Sequence, residues 1–462
     1  MNKIAVFSPD AVPVKGALAA GPGIRYFEIA RAIDRAGLDV TLFVPSESFE
    51  RSSSDIKIEP WSLNGLGEAI RDKDAVILPQ VHGGLSRAYP KTADISQPTA
   101  VDLYDPVLIE NLGLQDESDN SVLDYDGYLR SVVPILKRGD YFFCANERQR
   151  YYYLGVLNVL GRINPLTFHE DILGMVPYGV SSEPAVHSSN VMRGKIVGTD
   201  DKVILWFSGI YPWFDAVTLI EALPIILKEI QNAKLVILGG VHPRSHAPDD
   251  EFKKTVKRAQ ELGLIDSSVF LVDWQPYEER ANWYLESDLA VTTHKKSLET
   301  DLSHRTRVVD FIWAGLPVIV SKGDEFGRII ESAGCGYSVP IKDRQALAAK
   351  VIEVLSNEDL RETMKDSAKK LAAELRWDKV VQPLIDWAKD PKIAKDRSNK
   401  TARESVLKAV DTIDGHEMIS LGKGDERNLA DKVRVSLKSD GLIPTIKRSL
   451  GAGRRKIKGE GG

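Results

Sequence analysis

The sequence predicts an α/β protein of two doubly wound, Rossmann-like domains facing a central cleft, followed by a basic C-terminal tail. Three observations carry this. Short β-branched runs alternate with amphipathic helical stretches, a glycine turn follows the first strand of each half, and the whole pattern restarts at Val203 after a serine-spotted stretch. The boundaries read as a first domain over 1–185, a second over 195–375, a returning helix over 376–390 and a charged tail over 391–462. A chain of 462 residues exceeds what one hydrophobic core holds, and its 43% hydrophobic and 27% charged content is that of a soluble globular protein.

In the first half, Lys3 to Ser8 reads as a strand and is followed by a loop holding Gly16, Gly21, Pro22 and Gly23. Ile24, Phe27, Ala30 and Ile33 then fall on one helical face, closed by Gly37, before a strand over Val40 to Val44. The loop either brings backbone N–H groups to a phosphate or sugar, or simply turns the chain. Its Ala-Gly-Pro-Gly-Ile-Arg run is not the dinucleotide fingerprint, so a nicotinamide cofactor is poorly supported. Asp74 to Leu78 is a strand ending at Gln80, His82 and Gly83-Gly84, and Thr99 to Leu103 is one ending at Tyr104-Asp105-Pro106, with Glu110 a helical turn on. Polar groups just past parallel strand ends line the ligand crevice of such sheets. His82 and Asp105 are therefore site candidates, the alternatives being a surface histidine and a helix cap. Tyr141 to Cys144 is a strand before a helix whose tyrosines at 151–153 serve packing, and Met175 to Val180 is a short strand closing the half.

The second half opens with a strand over Val203 to Phe207, a Ser208-Gly209 turn and a helix carrying Leu219, Ile220, Leu223 and Leu227. Strands follow at Leu235–Leu238, Val269–Val272 and Leu289–Thr292. The last empties into Ser297–Ser321, a polar turn with Glu299, Ser303, His304, Arg305 and Arg307, then an apolar helix face and a Gly-Leu-Pro stop into a buried strand. Ser303 is placed to cap that helix, which ends at Gly315. A polar loop feeding a helix N-terminus is where such proteins hold anions. Glu325–Ala333 and Arg344–Leu355 read as helices, and a further one begins at Arg376.

The formal net charge of -5 gives no case for a nucleic-acid partner. Residues 391–462 nevertheless carry 17 Lys and Arg against 10 Asp and Glu. Val433 to Leu450 interleaves aliphatic and basic residues, a pattern fit either for an anionic membrane face or for a solvated tail. Cys144 and Cys335, the only cysteines, read as buried thiols of a reducing compartment. With no signal peptide and no membrane span in the sequence, a cytoplasmic location is expected, peripheral to the inner face of the cell membrane if the tail binds there.

Gly21-Pro22-Gly23-Ile24-Arg25, Val176-Pro177-Tyr178-Gly179-Val180 and Val308 to Val318, with its carboxylate ahead of Ala-Gly-Leu-Pro-Val, together resemble the retaining, family 4-like glycosyltransferases of the glycosyltransferase-B fold. The resemblance spans about residues 1–390. It implies transfer of a sugar from a nucleotide-diphosphate donor to a glycan, glycolipid or polysaccharide acceptor, lipid-linked if the tail binds membrane, with no cofactor and no required metal. It puts Gly21, Gly23 and Gly209 beside the donor and makes Asp310 the ribose-binding carboxylate. His82, Asp105 and Glu299 are placed around the transferred sugar. Two departures stand out. Ten residues separate Glu299 from Asp310 where the family has seven between two glutamates, and Gly209 to Asp215 lacks the family's Arg and Lys that clamp the diphosphate. Arg305 and Arg307 are the replacement candidates, ahead of Lys295 and Lys296. Asp124-Tyr125-Asp126 imitates a D-x-D metal motif but lies outside this pattern. The missing clamp also leaves open a non-catalytic scaffold of the same fold, and the fold itself leaves open a sugar-nucleotide epimerase.

Overall fold

The structure, a computed structural model, describes residues 2–14, 19–49, 54–62, 65–80, 95–113, 119–241 and 249–399, all within one compact unit. His82 and the tail from 400 to 462 lie outside the described residues.

Strands β1 (Lys3–Phe7), β2 (Asp39–Pro45), β3 (Lys57–Trp61), β4 (Ala75–Pro79), β5 (Thr99–Asp102), β6 (Tyr141–Cys144) and β7 (Leu173–Met175) form one parallel sheet in the order β3-β2-β1-β4-β5-β6-β7. Helices α1 (Gly21–Arg35), α2 (Val107–Leu112), α3 (Asp119–Arg138) and α4 (Glu147–Val159) cover it. Both faces are buried: Ile4 and Val6 join one core while Ala5 and Phe7 join another, as the strand period of two requires.

The second sheet holds β8 (Lys202–Gly209), β9 (Ala233–Gly240), β10 (Val269–Val272), β11 (Leu289–Thr292), β12 (Val318–Ser321) and β13 (Gly336–Val339), in the order β10-β9-β8-β11-β12-β13. It is also parallel. Around it run α5 (Ala216–Glu229), α6 (Asp250–Glu261), α7 (Arg280–Leu285), α8 (Leu298–Leu302), α9 (Thr306–Ala314), α10 (Glu325–Ala333), α11 (Arg344–Ser356) and α12 (Glu358–Glu374). In each sheet the strand order reverses beside the first strand, between β1 and β4 and between β8 and β11. Such switch points open a crevice at the carboxyl ends of the strands.

Several elements differ from the sequence reading, each for a physical reason. Edge strands β3, with its Pro60 and charged residues, and β13, begun by Gly336, carry too little apolar pattern to stand out. β7 ends at Met175, and Val176 and Pro177 continue as connection because their carbonyls accept from the Arg25 guanidinium. Ser303 does not cap α9. It ends α8, with its hydroxyl donating to the Thr300 carbonyl, and Arg305 occupies the N-cap of α9. Gly315 does close α9, in the left-handed conformation (φ 71°).

Two chain segments cross between the domains side by side: Val180 N–H donates to Leu375 O (2.8 Å) and Trp377 N–H to Val180 O (3.0 Å). The helix expected from Arg376 is broken into α13 (Trp377–Val380) and α14 (Gln382–Lys389), since Pro383 fits only a first turn. Trp387 of α14 stacks on Tyr141, and Asn2 Nδ2 donates to the Ala388 and Lys389 carbonyls. Residues 391–399, assigned from sequence to the tail, dock on the first domain through α15 (Lys395–Ser398). Arg162 holds Asp396 bidentately (2.9 and 3.1 Å), Asp140 accepts from Ala394 N–H (2.9 Å) and pairs with Arg397. Cys144 and Cys335 are buried free thiols. Among the described residues no helix is long and apolar enough to cross a membrane.

Candidate functional site

A cleft of about 470 Å³ lies at the two switch points. The first domain lines it with Asp10, the start of α1, Tyr104, Asp105 and Glu110, and the second with Phe207–Gly209, Tyr211, Trp213, Phe214, Trp274, Glu299 and Ser303–Arg307. It runs into a cavity of about 400 Å³ on the first-domain side, with Asp10, Pro22, Tyr104 and Asp105 common to both.

The N-termini of α1 and α9 meet here: a Cβ added to Gly21 would lie 3.7 Å from Thr306 Oγ1. Neither helix has a side-chain cap or an acid in its first turn. Each therefore turns the positive end of its dipole to the cleft, α9 with the first-turn N–H groups of Thr306 and Arg307 and α1 with that of Gly21 alone, since Pro22 carries none, an arrangement suited to an anion. Gly21 and Gly209 line this space. Gly23 does not. A Cβ there would fall 1.8 Å from the Ala11 carbonyl oxygen, so this glycine is required by backbone packing rather than by a ligand. Gly23→Ala is expected to lower stability by about 1–3 kcal/mol through overpacking, read as a drop in the urea midpoint; an unchanged midpoint would show that the Asp10–Val12 loop yields freely.

Glu299 and Arg305, named separately from the sequence, hold each other: Nη1 to Oε1 and Nη2 to Oε2 are both 2.8 Å, and both side chains are buried. Arg305 also reaches Thr300 Oγ1 (3.3 Å) and stands 3.9 Å from Asp324, which caps α10 and lies 3.4 Å from His294. Against the cost of burial, His294 and Arg305 keep the Asp324 carboxyl below its ordinary range. Arg305 is thus an already neutralised cation, and Arg307, itself 3.3 Å from Asp310, lines the cleft beside it. Asp310 is placed otherwise than the resemblance implies. The residue is 5% exposed, and its carboxylate sits behind the cleft wall, accepting from Arg307 Nη1 (3.3 Å) and Tyr284 Oη (3.4 Å), with Arg280 at 3.9 Å. One turn along α9 from Arg307, it points toward α7 and steadies that arginine.

Asp105 borders both cavities, and its carboxylate does not cap α2, whose N-cap is Pro106. Burial first, then Glu110 and Asp102, hold its carboxyl well above the usual range; burial and Glu299 push Glu110 up to about 7. The folded protein therefore binds an extra proton at Glu110 between the ordinary 4.5 and about 7. Stability is greatest at the acid end of that window and declines as pH rises through it. Glu110→Gln should accordingly gain on the wild type between about pH 5 and about pH 7.5. Urea midpoints of the two proteins check this, and a constant difference across the window would refute it.

His304 follows the same cleft wall. Its Nε2 accepts from Tyr178 N–H (3.3 Å), which leaves the proton on Nδ1, and burial pushes its pKa down to about 3. It is neutral near physiological pH.

Sequence reasoning missed the groups that tie the two walls together. Asn146 Nδ2 donates to Leu302 O and Ser303 O (3.4 and 3.3 Å), Gln149 Nε2 to Leu302 O (3.0 Å), Arg148 Nη1 to Asp301 O (3.0 Å) and Tyr104 Oη to His304 O (2.9 Å). Asn146 also caps α4, which was the one legible signal, as Asn opening a helical run.

The positions expected to carry a clamp are otherwise engaged. Ile210 is 2% exposed in the core, Asp215 caps α5 through Thr218, and Lys295 pairs with Glu251 at 2.9 Å. Asp126 of the D-x-D look-alike pairs with Arg130 on the exposed side of α3; the Asp124 side chain lies outside the described residues. Among the described residues no three His, Cys, Asp or Glu side chains are grouped to hold a metal ion.

Residues 191–371, which carry β8–β13 and the second-domain wall of the cleft, match the family model described as Glycosyl transferases group 1. No curated protein matches the sequence. Among solved structures, the chain is similar to sucrose-phosphate synthase from Thermosynechococcus elongatus (16% identity, 84% of this chain and 98% of that one, TM-score 0.59). It is also similar to Anabaena HepE in complex with UDP-glucose (13%, 84% and 99%, 0.58). A third likeness is to WaaG, a glycosyltransferase involved in lipopolysaccharide biosynthesis (13%, 84% and 100%, 0.57). At these identities the likeness is one of fold, and the fold is glycosyltransferase-B.

Proposed function

We propose that this chain, whose residues 191–371 carry the group 1 glycosyltransferase pattern, transfers a sugar from a nucleotide-diphosphate donor bound in the cleft. The observation that carries the reading is the meeting of two uncapped helix N-termini beside Arg307, which supplies a diphosphate with N–H donors and positive potential where clamp cations are missing. Asp105 stands at the junction of the two cavities, where an acceptor hydroxyl would meet the donor sugar. In this reading the reaction retains configuration, needs no metal and uses a glycan, glycolipid or polysaccharide acceptor. The protein works in the cytoplasm, at the inner membrane face where the basic tail engages a lipid-linked acceptor.

Incubation with uridine, guanosine and thymidine diphosphate sugars, scored for released nucleoside diphosphate, tests it. Turnover of one donor, raised by an acceptor, is expected. Binding without turnover of any donor would favour a second reading, a scaffold of the same fold, whose motive is the mutual neutralisation of Glu299 and Arg305. Donor conversion without acceptor would indicate an epimerase. Sedimentation with anionic vesicles, with and without residues 400–462, tests the membrane role, and equal pelleting would end it.

A further inference from the structure

Glu110 lines the cleft from α2 and is half-buried, yet among the described residues its carboxylate makes no hydrogen bond or ion pair. Charged and titratable groups lie within electrostatic reach of it from both walls: Asp105 and Tyr104 on its own side, and Glu299, Arg305 and Tyr211 across the cleft. Helix α3 also packs against α2 and sets no charged group toward Glu110 among the described residues. Arg305, the one cation in this set, is already held by both oxygens of Glu299 at 2.8 Å. Burial and like charge both oppose ionisation in such a place, so the carboxyl costs stability, and the gain expected above for Glu110→Gln measures that cost. Groups that destabilise a fold at its ligand cleft are the ones function retains.

Sugar transfer has a need that such a group meets. As the acceptor oxygen bonds to the anomeric carbon, its own proton must pass to a base. The departing diphosphate is one receiver, but here it would lie on the helix starts beside Arg307, whose positive potential lowers its basicity. A carboxylate that binds a proton near neutral pH is the better-matched receiver.

We propose that Glu110 is the catalytic base of this chain and takes the proton of the acceptor hydroxyl as the sugar is transferred. The inference rests on the donor reading above. The bond from the acceptor oxygen to the anomeric carbon forms, and the bond from that carbon to the diphosphate oxygen breaks. Its electron pair leaves with the diphosphate, and the acceptor's proton passes to a Glu110 carboxylate oxygen. Asp105, at the junction of the two cavities, keeps its own proton, held there by burial first and then by Glu110 and Asp102. It therefore donates a hydrogen bond to the acceptor oxygen and leaves the role of base to its neighbour.

The test uses the full chain with whichever of the uridine, guanosine or thymidine diphosphate sugars it turns over. Glu110→Gln should lower kcat by about a hundredfold, while KM for the donor and the calorimetric affinity for its nucleoside diphosphate stay as in the wild type. Glu110→Asp should recover part of the rate. Wild-type kcat/KM should rise with pH through about 7, where Glu110 gives up its proton, and that limb should vanish in Glu110→Gln. The variant is expected to be the more stable protein in this range, so lost turnover is not unfolding. An unchanged kcat overturns the assignment alone, and so does a pH limb that survives the substitution. A loss of kcat matched by an equal loss of nucleoside diphosphate affinity also overturns it, because the damage is then to binding. A wild type that turns over none of the donors overturns the donor reading and the assignment with it.

Discussion

Arg305→Met is expected to destabilise the protein by about 3–5 kcal/mol, because it leaves a buried carboxylate without its partner. The guanidinium holds both oxygens of Glu299 at 2.8 Å, stands 3.9 Å from Asp324 and covers Phe214 at 5.2 Å. Urea unfolding reads the loss. The double variant Glu299→Gln with Arg305→Met should recover much of it, since a pair removed together leaves no uncompensated charge. If the single variant is as stable as the wild type, the pair is hydrated and Arg305 is free to meet a ligand. If the double variant is no better than the single, packing on Phe214 rather than charge is what Arg305 provides.

Arg25→Met should cost a similar amount, about 3–5 kcal/mol, in the first domain. Arg25 is fully buried and grips Asp102 through Nε (2.7 Å) and Nη2 (3.1 Å). Its remaining N–H groups go to the Val176 and Pro177 carbonyls, and its plane lies 4.4 Å over the Tyr104 ring. The residue thus joins α1, β5 and the connection after β7. Adding Asp102→Asn should restore less here than in the second domain, because two backbone carbonyls still lose their donor. Full restoration would show that the carbonyl bonds contribute nothing.

These two arginines show how far the sequence could be read. Arg25 sat inside a quoted motif, yet only the fold shows that it faces inward to Asp102, 77 positions away. Strands such as β1, β8 and β12 were legible because continuous β-branched runs have few other uses in a protein of this size. Edge strand β13 was not, since Gly-Tyr-Ser-Val carries no period. The Ser297–Ser321 stretch was rightly singled out as a wall of the cleft, but the direction of its side chains escaped. Helical spacing puts Arg307 and Asp310 together, and nothing local says which of them faces the cleft. Only α7, with Tyr284 and Arg280, decides it by drawing the carboxylate inward. The packing of Gly23 escaped for a like reason, as its neighbour Ala11 comes from a loop with no recognisable pattern.

The hydrogen bonds running from Asn146, Arg148, Gln149 and Tyr104 to the carbonyls of residues 301–304 make the second-domain wall partly a product of the first domain. Carbonyls at the end of a short helix need donors, and α8 has only five residues of its own to order them. Parting the two domains by a few ångströms would hand those oxygens to water and release the turn that carries His304 and Arg305. Opening of the molecule and loosening of this wall would therefore be coupled, so that holding the halves apart would disorder the turn at 301–304 without touching it.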